Sequence, residues 1–148
     1  VELTLNINIS ERSNLISNFT YGDHKYDFNS DTSMQEKIRI GNEIDTSPKL
    51  MANLILNASV TDNLSFAFEL ERMDSYFTDA ANLHEYEGHT LLHFRSDLSY
   101  SEKLKMYLRV DNLTDKDYAE RADFNAYGGD RYFPGLPRET YVGFEYSL

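Results

Sequence analysis

Apolar and polar side chains alternate residue by residue along most of this chain. Val1, Leu3, Leu5, Ile7 and Ile9 interleave with Glu2, Thr4, Asn6 and Asn8. The same period recurs over residues 50–60, 64–71, 92–98, 104–111 and 141–148. A less tidy stretch, 15–27, sets Phe19 and Tyr21 against Asn18, Thr20 and Gly22. Period two puts successive side chains on opposite faces of an extended strand, so these runs predict amphipathic β-strands, about seven in all. No window of comparable length carries a helical stripe.

The connections hold a second regularity. Residues 10–14, 61–63 and 101–103 are short and polar, whereas 28–48, 77–88 and 119–137 are long. Short and long connections alternate strictly, so the expected meander has two unlike ends. Transmembrane barrels have this form, with short turns on the periplasmic side and long loops outside, while a sandwich has turns at both ends. The alternating runs span roughly nine to twelve residues, close to the ~9–11 that a tilted membrane strand needs and above the ~5–6 usual in soluble sheets. The fold expected is all-β: an antiparallel up-and-down meander of long strands, one segment of a larger barrel. Parity fixes a register between the last two long runs before residue 112. Leu98 should oppose Met106, with Arg95 opposite Arg109 and His93 opposite Asp111.

Composition narrows the function. The chain has 148 residues, 17.2 kDa, 14 Lys plus Arg and 25 Asp plus Glu, a formal net charge of −11. That charge repels phosphate backbones and makes nucleic acid a poor partner. Cysteine is absent, which excludes disulfides, thiolate metal sites and cysteine nucleophiles. Mean hydropathy is −0.57, and no apolar run reaches the ~18 residues of a membrane helix. A barrel stays open, because its strands average out polar. The start at Val1, with no leader sequence, is read as a removed leader or a truncated start.

Specific motifs appear in the last third. Residues 107–118 read Tyr-Leu-Arg-Val-Asp-Asn-Leu-Thr-Asp-Lys-Asp-Tyr, residues 127–138 end in Pro137-Arg138, and an alternating strand closes the chain. This resembles the end of the TonB-dependent outer-membrane receptors, whose penultimate strand carries Asn-Leu-(Phe/Thr)-Asp-Lys-x-Tyr. Residues 41–49, Asn53 and 62–65 resemble the preceding loop, strand and turn. On that resemblance Asn112, Asp115, Tyr118, Pro137 and Arg138 are structural signature residues. The resemblance implies a 22-stranded barrel in the bacterial outer membrane, filled by an N-terminal plug and driven by the TonB complex. It further implies uptake of a scarce nutrient such as a ferric siderophore or similar iron chelate. With no plug and about seven strands, residues 1–148 are expected to be the C-terminal part of such a barrel. Its partners would be outer-membrane lipid, the plug and remaining strands, TonB and the iron chelate. The family usually ends in Phe or Trp; here the last residue is Leu148. The alternative is a self-contained small barrel or lipocalin-like binding module.

Other constellations favour plainer readings. His84-Glu-Tyr-Glu-Gly-His89 has one residue too many for the zincin helix motif. His89 and His93 share a strand face and read as spectators. Asp27, Asn29 and Asp31 open like a calcium loop, but Thr32 and Ile38 stand where Gly and Glu are required. The Asn57-Ala-Ser59 triplet reads as wall, not as a glycosylation site. No nucleophile elbow occurs, so no enzyme, catalytic residue, metal site or cofactor is expected. In the last long loop Tyr127, Arg131 and Tyr132, with Phe133 beside them, are the ligand-binding candidates, because Arg next to aromatics suits an anionic, aromatic chelate. Tyr100 and Tyr146 are expected at the girdle of the short-turn rim.

Overall fold

The computed structural model describes residues 1–32 and 36–148. Among these residues the alternating runs become seven long strands: β1 (Glu2–Ser10), β2 (Ser13–Tyr21), β5 (Leu50–Thr61), β6 (Leu64–Met73), β9 (His89–Ser99), β10 (Leu104–Asp111) and β13 (Glu139–Tyr146). They form one antiparallel sheet in the order β1-β2-β5-β6-β9-β10-β13. Each long strand therefore pairs with the next long strand along the chain, the up-and-down meander expected from the pattern. Six short strands lie in the long connections: β3 (Ser30–Asp31), β4 (Lys37–Ile38), β7 (Tyr76–Phe77), β8 (Glu85–Tyr86), β11 (Ala119–Asn125) and β12 (Gly129–Pro134). They pair as separate two-stranded ribbons.

Two expectations about extent change. The long strands run from eight to twelve residues, with β10 and β13 at eight each, just below the nine to twelve expected. The second run stops at Tyr21 and not at Asp27, where the backbone amide of Gly22 turns to the Lys49 carbonyl at 3.0 Å. The span from 119 to 137 is also more ordered than a plain loop. It folds into the β11–β12 hairpin, whose charged residues masked any period-two signal.

Register keeps one class of side chain on each face. Thr20, Met51, Met73 and His89 are successive opposite partners across β2, β5, β6 and β9. Asn53 faces Glu71, and Glu69 faces His93, on the same polar side. The other side carries Leu54 opposite Leu70, Phe68 opposite Phe94 and Leu98 opposite Met106. On this apolar side Val142 and Phe144 are 73% and 75% exposed. Such a band is stable only against another apolar phase, and acyl chains supply one. Phe66, Phe68 and Phe94 pack edge-on and tilted along it, with successive centroids 5.7 and 5.0 Å apart.

The buried apolar residues are few, and they lie toward the long-loop end. Tyr76, Tyr86, Ala119 and Ala122 form one cluster, with Met73 packed against it. The opposite end has only tight turns. There Arg12 meets Asp62 at 2.7 Å, an exposed pair that contributes little to stability.

Candidate functional site: the polar sheet face and the loop layer

The polar face is a charged wall. A hollow of about 730 Å³ runs along it between β1 and β10, lined by Asn57, Glu69, His93, Arg95, Asp97 and Arg109 among others. Arg95 and Arg109 are direct opposite partners. Each is held by the acid two positions further on its own strand: Arg95 Nε and Nη2 donate to Asp97 at 2.9 Å, and Arg109 Nε donates to Asp111 at 2.9 Å. His93 Nδ1 lies 3.3 Å from Asp111, so that carboxylate serves two neighbours. Tyr141 lies opposite Arg109 with its ring 6.0 Å from the guanidinium carbon. Next to it, Tyr107 crosses Gly143, where a Cβ would come within 2.3 Å of the Tyr107 ring. Glycine is what lets that ring lie across the strand.

Above the wall the three long connections are stitched into one layer. Asn82 has a positive φ of 57° and binds the backbone of Glu43 through both side-chain atoms, at 2.7 and 2.9 Å. The Thr46 amide donates to the Phe77 carbonyl at 2.8 Å, and the Phe124 amide donates to the Thr78 carbonyl at 3.0 Å. Two buried tyrosines complete the join by acting as strand partners for β11. The Tyr76 hydroxyl accepts from the Ala122 amide at 2.7 Å and reaches its carbonyl at 3.2 Å. The Tyr86 hydroxyl does the same at Ala119, at 3.0 and 3.1 Å. Asp79, 4% exposed, caps the turn that follows it by accepting the Leu83 and His84 amides. Burial raises the phenol pKa of Tyr76. Burial, and then the hydrogen bond to Asp45, push Tyr26 up to about 12.

Asn112, Asp115, Tyr118, Pro137 and Arg138 lie at one junction. Asn112 is 2% exposed and adopts φ 49°. Its amide donates to the carbonyls of Lys116 and Leu136, and its oxygen accepts the Lys116 amide at 2.9 Å. Asp115 accepts the Arg138 backbone amide at 2.9 Å, with the guanidinium 3.9 Å away. Tyr118 lies over Gly135, where a Cβ would sit 2.0 Å from its ring, and its carbonyl accepts the Gly135 amide. Pro137 stands between these anchored positions, just before Arg138. The motif thus ties the exit of β10 to the entry of β13.

The ligand-binding candidates sit on one hairpin but do not share a face. Tyr127 is at its fully exposed tip. Arg131 pairs with the buried Asp123 at 2.6 Å, which also holds Arg121 at 3.1 Å. Tyr132 opposes Ala122 on the other side, 6.3 Å from the Tyr86 ring. Phe133 lies 5.7 Å from Arg121. Tyr100 and Tyr146 are exposed at the short-turn end. Asp31 is held by Arg39 and Lys37, and Arg39 keeps its carboxyl below the usual range. The calcium-loop stretch beyond Thr32 lies partly outside the described residues. Among the described residues, no three His, Cys, Asp or Glu side chains gather around a metal position. Sequence reasoning missed Tyr76, Asp79, Asn82 and Tyr86. They lie in aperiodic loops, and only their partners reveal their roles.

A polar wall, an apolar outer band, tight turns at one end and a tied loop layer at the other define a segment of a transmembrane β-barrel. The chain belongs to the TonB-dependent receptors: the family described as TonB dependent receptor-like, beta-barrel, matches residues 1–113. Solved structures extend the likeness to nearly the whole chain. The siderophore receptor PiuA from Acinetobacter baumannii superposes with TM-score 0.82 at 20% identity, over 98% of this chain and 21% of its own. The ferric-catecholate import receptor Fiu from E. coli gives 0.74 at 21% identity, over 97% and 20%. The ferric yersiniabactin uptake receptor FyuA from Yersinia pestis gives 0.73 at 17% identity, over 97% and 22%. This chain thus spans about a fifth of the length of these receptors. No curated protein matches it.

Proposed function

We propose that residues 1–148 form the C-terminal wall of an outer-membrane receptor that takes up a ferric siderophore or similar iron chelate. The observation that carries this is the division of the sheet into an apolar band and a charged wall beneath an ordered loop layer. Lipid covers the band, and a plug domain faces the wall. TonB acts through that plug, and the wall itself performs no chemistry. Tyr127, Arg131 and Tyr132 are proposed chelate contacts, with the hairpin offering an aromatic tip and a guanidinium at its flank. Receptors for iron chelates among the structural relatives support the substrate class. The alternative, a self-contained lipocalin-like module, is disfavoured by the open sheet, because β1 and β13 each pair on one side only.

The test is uptake. A strain lacking the gene is starved of iron and supplied with radioiron as catecholate, hydroxamate or citrate chelates. Loss of TonB-dependent uptake of one class, restored by the intact gene, is expected. Unchanged uptake of every chelate overturns the substrate assignment. Recovery of the protein in the soluble fraction, at the length of this chain alone, overturns the architecture.

A further inference from the structure

Just below the loop layer, the polar face carries two thioethers and an imidazole in one row. Met51 opposes Met73, and Met73 opposes His89, on the adjacent strands β5, β6 and β9. All three line a hollow of about 260 Å³, together with Thr20, Asn53 and Glu71. Directly opposed side chains start ~4.5–5.5 Å apart at Cβ. The row therefore spans roughly 10 Å from Met51 to His89, with Met73 in the middle. Each methionine carries its sulfur on a flexible arm, so the two thioethers can close on a point between the strands. Methionine is commonly a core filler. That accounts for Met73, which packs against the Tyr76–Tyr86 cluster, but not for Met51, which lies outside that cluster in a row with Asn53 and Asn57 on the polar wall.

The histidine is held as a metal-binding histidine is held. The Tyr86 hydroxyl lies 2.9 Å from His89 Nδ1 and also contacts the Ala119 amide and carbonyl. All these contacts are met at once when the hydroxyl donates to the carbonyl and accepts from both the amide and Nδ1–H. That tautomer leaves the lone pair on Nε2, which has no hydrogen-bond partner among the described residues. Fixing one ring nitrogen so that the other presents its lone pair is the outer-shell arrangement of histidine ligands. Neighbouring rings at Tyr86 and Tyr118, with centroids 6.1 and 4.7 Å away, restrict the imidazole further.

We propose that Met51, Met73 and His89 form a binding site for a soft monovalent metal ion, the cuprous ion. Thioethers select Cu(I) over harder ions, and imidazole is a common partner to them. Two neutral sulfurs and one neutral nitrogen suit a singly charged d10 ion. The two thioethers discriminate against Zn(II), which takes imidazole but fills its remaining positions with thiolate, carboxylate or further imidazole, and against Ca(II), which takes oxygen. Glu71 and Arg72 both line the hollow, and Arg72 is engaged by Asp74 at 2.9 Å, so Glu71 is left to offset the charge of the ion. The site is separate from the chelate contacts proposed on the β11–β12 hairpin.

The test uses the intact receptor, purified in detergent. Under anaerobic conditions with ascorbate, Cu(I) is titrated against a chromophoric cuprous chelator, with Ag(I) as a redox-inert second probe. The expected result is a Cu(I) equivalent that the M51L/M73L double variant binds at least tenfold more weakly. Sulfur neighbours should appear in the copper absorption fine structure of the parent. M51L alone, an isosteric change outside the buried Tyr76–Tyr86 cluster, should already weaken binding several-fold and keeps the test independent of any disturbance of the buried residues. Ferric-chelate binding by the same variants is measured alongside and should not change. The proposal is overturned if the parent takes up no Cu(I), if the double variant binds like the parent, if only nitrogen and oxygen neighbours are seen, or if Zn(II) binds as tightly as Cu(I).

Discussion

Arg95 and Arg109 face each other directly across β9 and β10, yet neither is left to repel the other. Each guanidinium is turned along its own strand to the acid two residues on, Asp97 or Asp111. Two like charges opposed in a sheet destabilise it unless counter-charges sit on the same face. Here strand periodicity supplies them, since residues two apart share a face.

Asp111 is the more consequential acid, because it serves Arg109 and His93 together. Asp111→Asn should lower the stability of the intact receptor by about 1 kcal/mol or less, since the Arg109 guanidinium is well exposed and solvent screens that pair. Asp97→Asn should cost less still. Denaturant unfolding in detergent at low and high salt measures both, and the Asp111 difference should shrink as salt rises.

The two faces should respond oppositely to a new charge. Leu54→Arg or Phe68→Arg should destabilise insertion by about 2–4 kcal/mol near mid-bilayer. Asn53→Arg should be tolerated, because that position lies between Glu69 and Glu71. Ala67→Arg should cost somewhat more than Asn53→Arg, because Ala67 opposes Arg95. Folding yield into lipid vesicles separates the cases, and equal costs at Leu54 and Asn53 would contradict the assignment of the lipid face.

Asn112→Ala should loosen the junction between β10 and β13. It takes the side-chain donor from the carbonyls of Lys116 and Leu136, a loss of about 1–2 kcal/mol, at a backbone position that favours Asn over Ala. Gly135→Ala should act on the same junction by driving a methyl into the Tyr118 ring. Limited proteolysis should then cut between residues 113 and 138 sooner than in the parent.

Orientation can be read by cysteine labelling of intact cells. Ser101→Cys, in a tight turn, should stay unlabelled, and Tyr127→Cys, at the hairpin tip, should label readily. Asp79 lies in a long connection but is buried and caps its own turn, so it is a poor probe despite its place in the sequence. Labelling at 101 without labelling at 127 would reverse the topology.

Tyr26 gives the 22–49 connection an alkaline limit. Its folded pKa, about 12, lies above the ordinary value of 10. A raised folded value means that the contribution is complete below pH ~10 and is lost as pH climbs toward 12. Proteolytic susceptibility of this connection should therefore rise in that window, while Tyr26→Phe should show no such step.

The alternation alone determined the seven long strands, their faces and their neighbours. A period of two leaves no freedom about which side chains share a face, and one turn length then fixes parity, so Leu98 opposite Met106 and Arg95 opposite Arg109 followed from counting. The motif at 112–118 likewise resembles the family in sequence alone, and the family match itself covers residues 1–113. Tertiary structure decided the rest. That Tyr76 and Tyr86 serve as strand partners for β11, or that Asn82 grips Glu43 from 39 residues away, depends on where loops meet in space. Loop contacts have no period, so no local pattern encodes them. The row of Met51, Met73 and His89 lies between these cases. Each residue was visible on its strand, but only the pairing of three strands brought them level, because register is a property of neighbours and not of one segment.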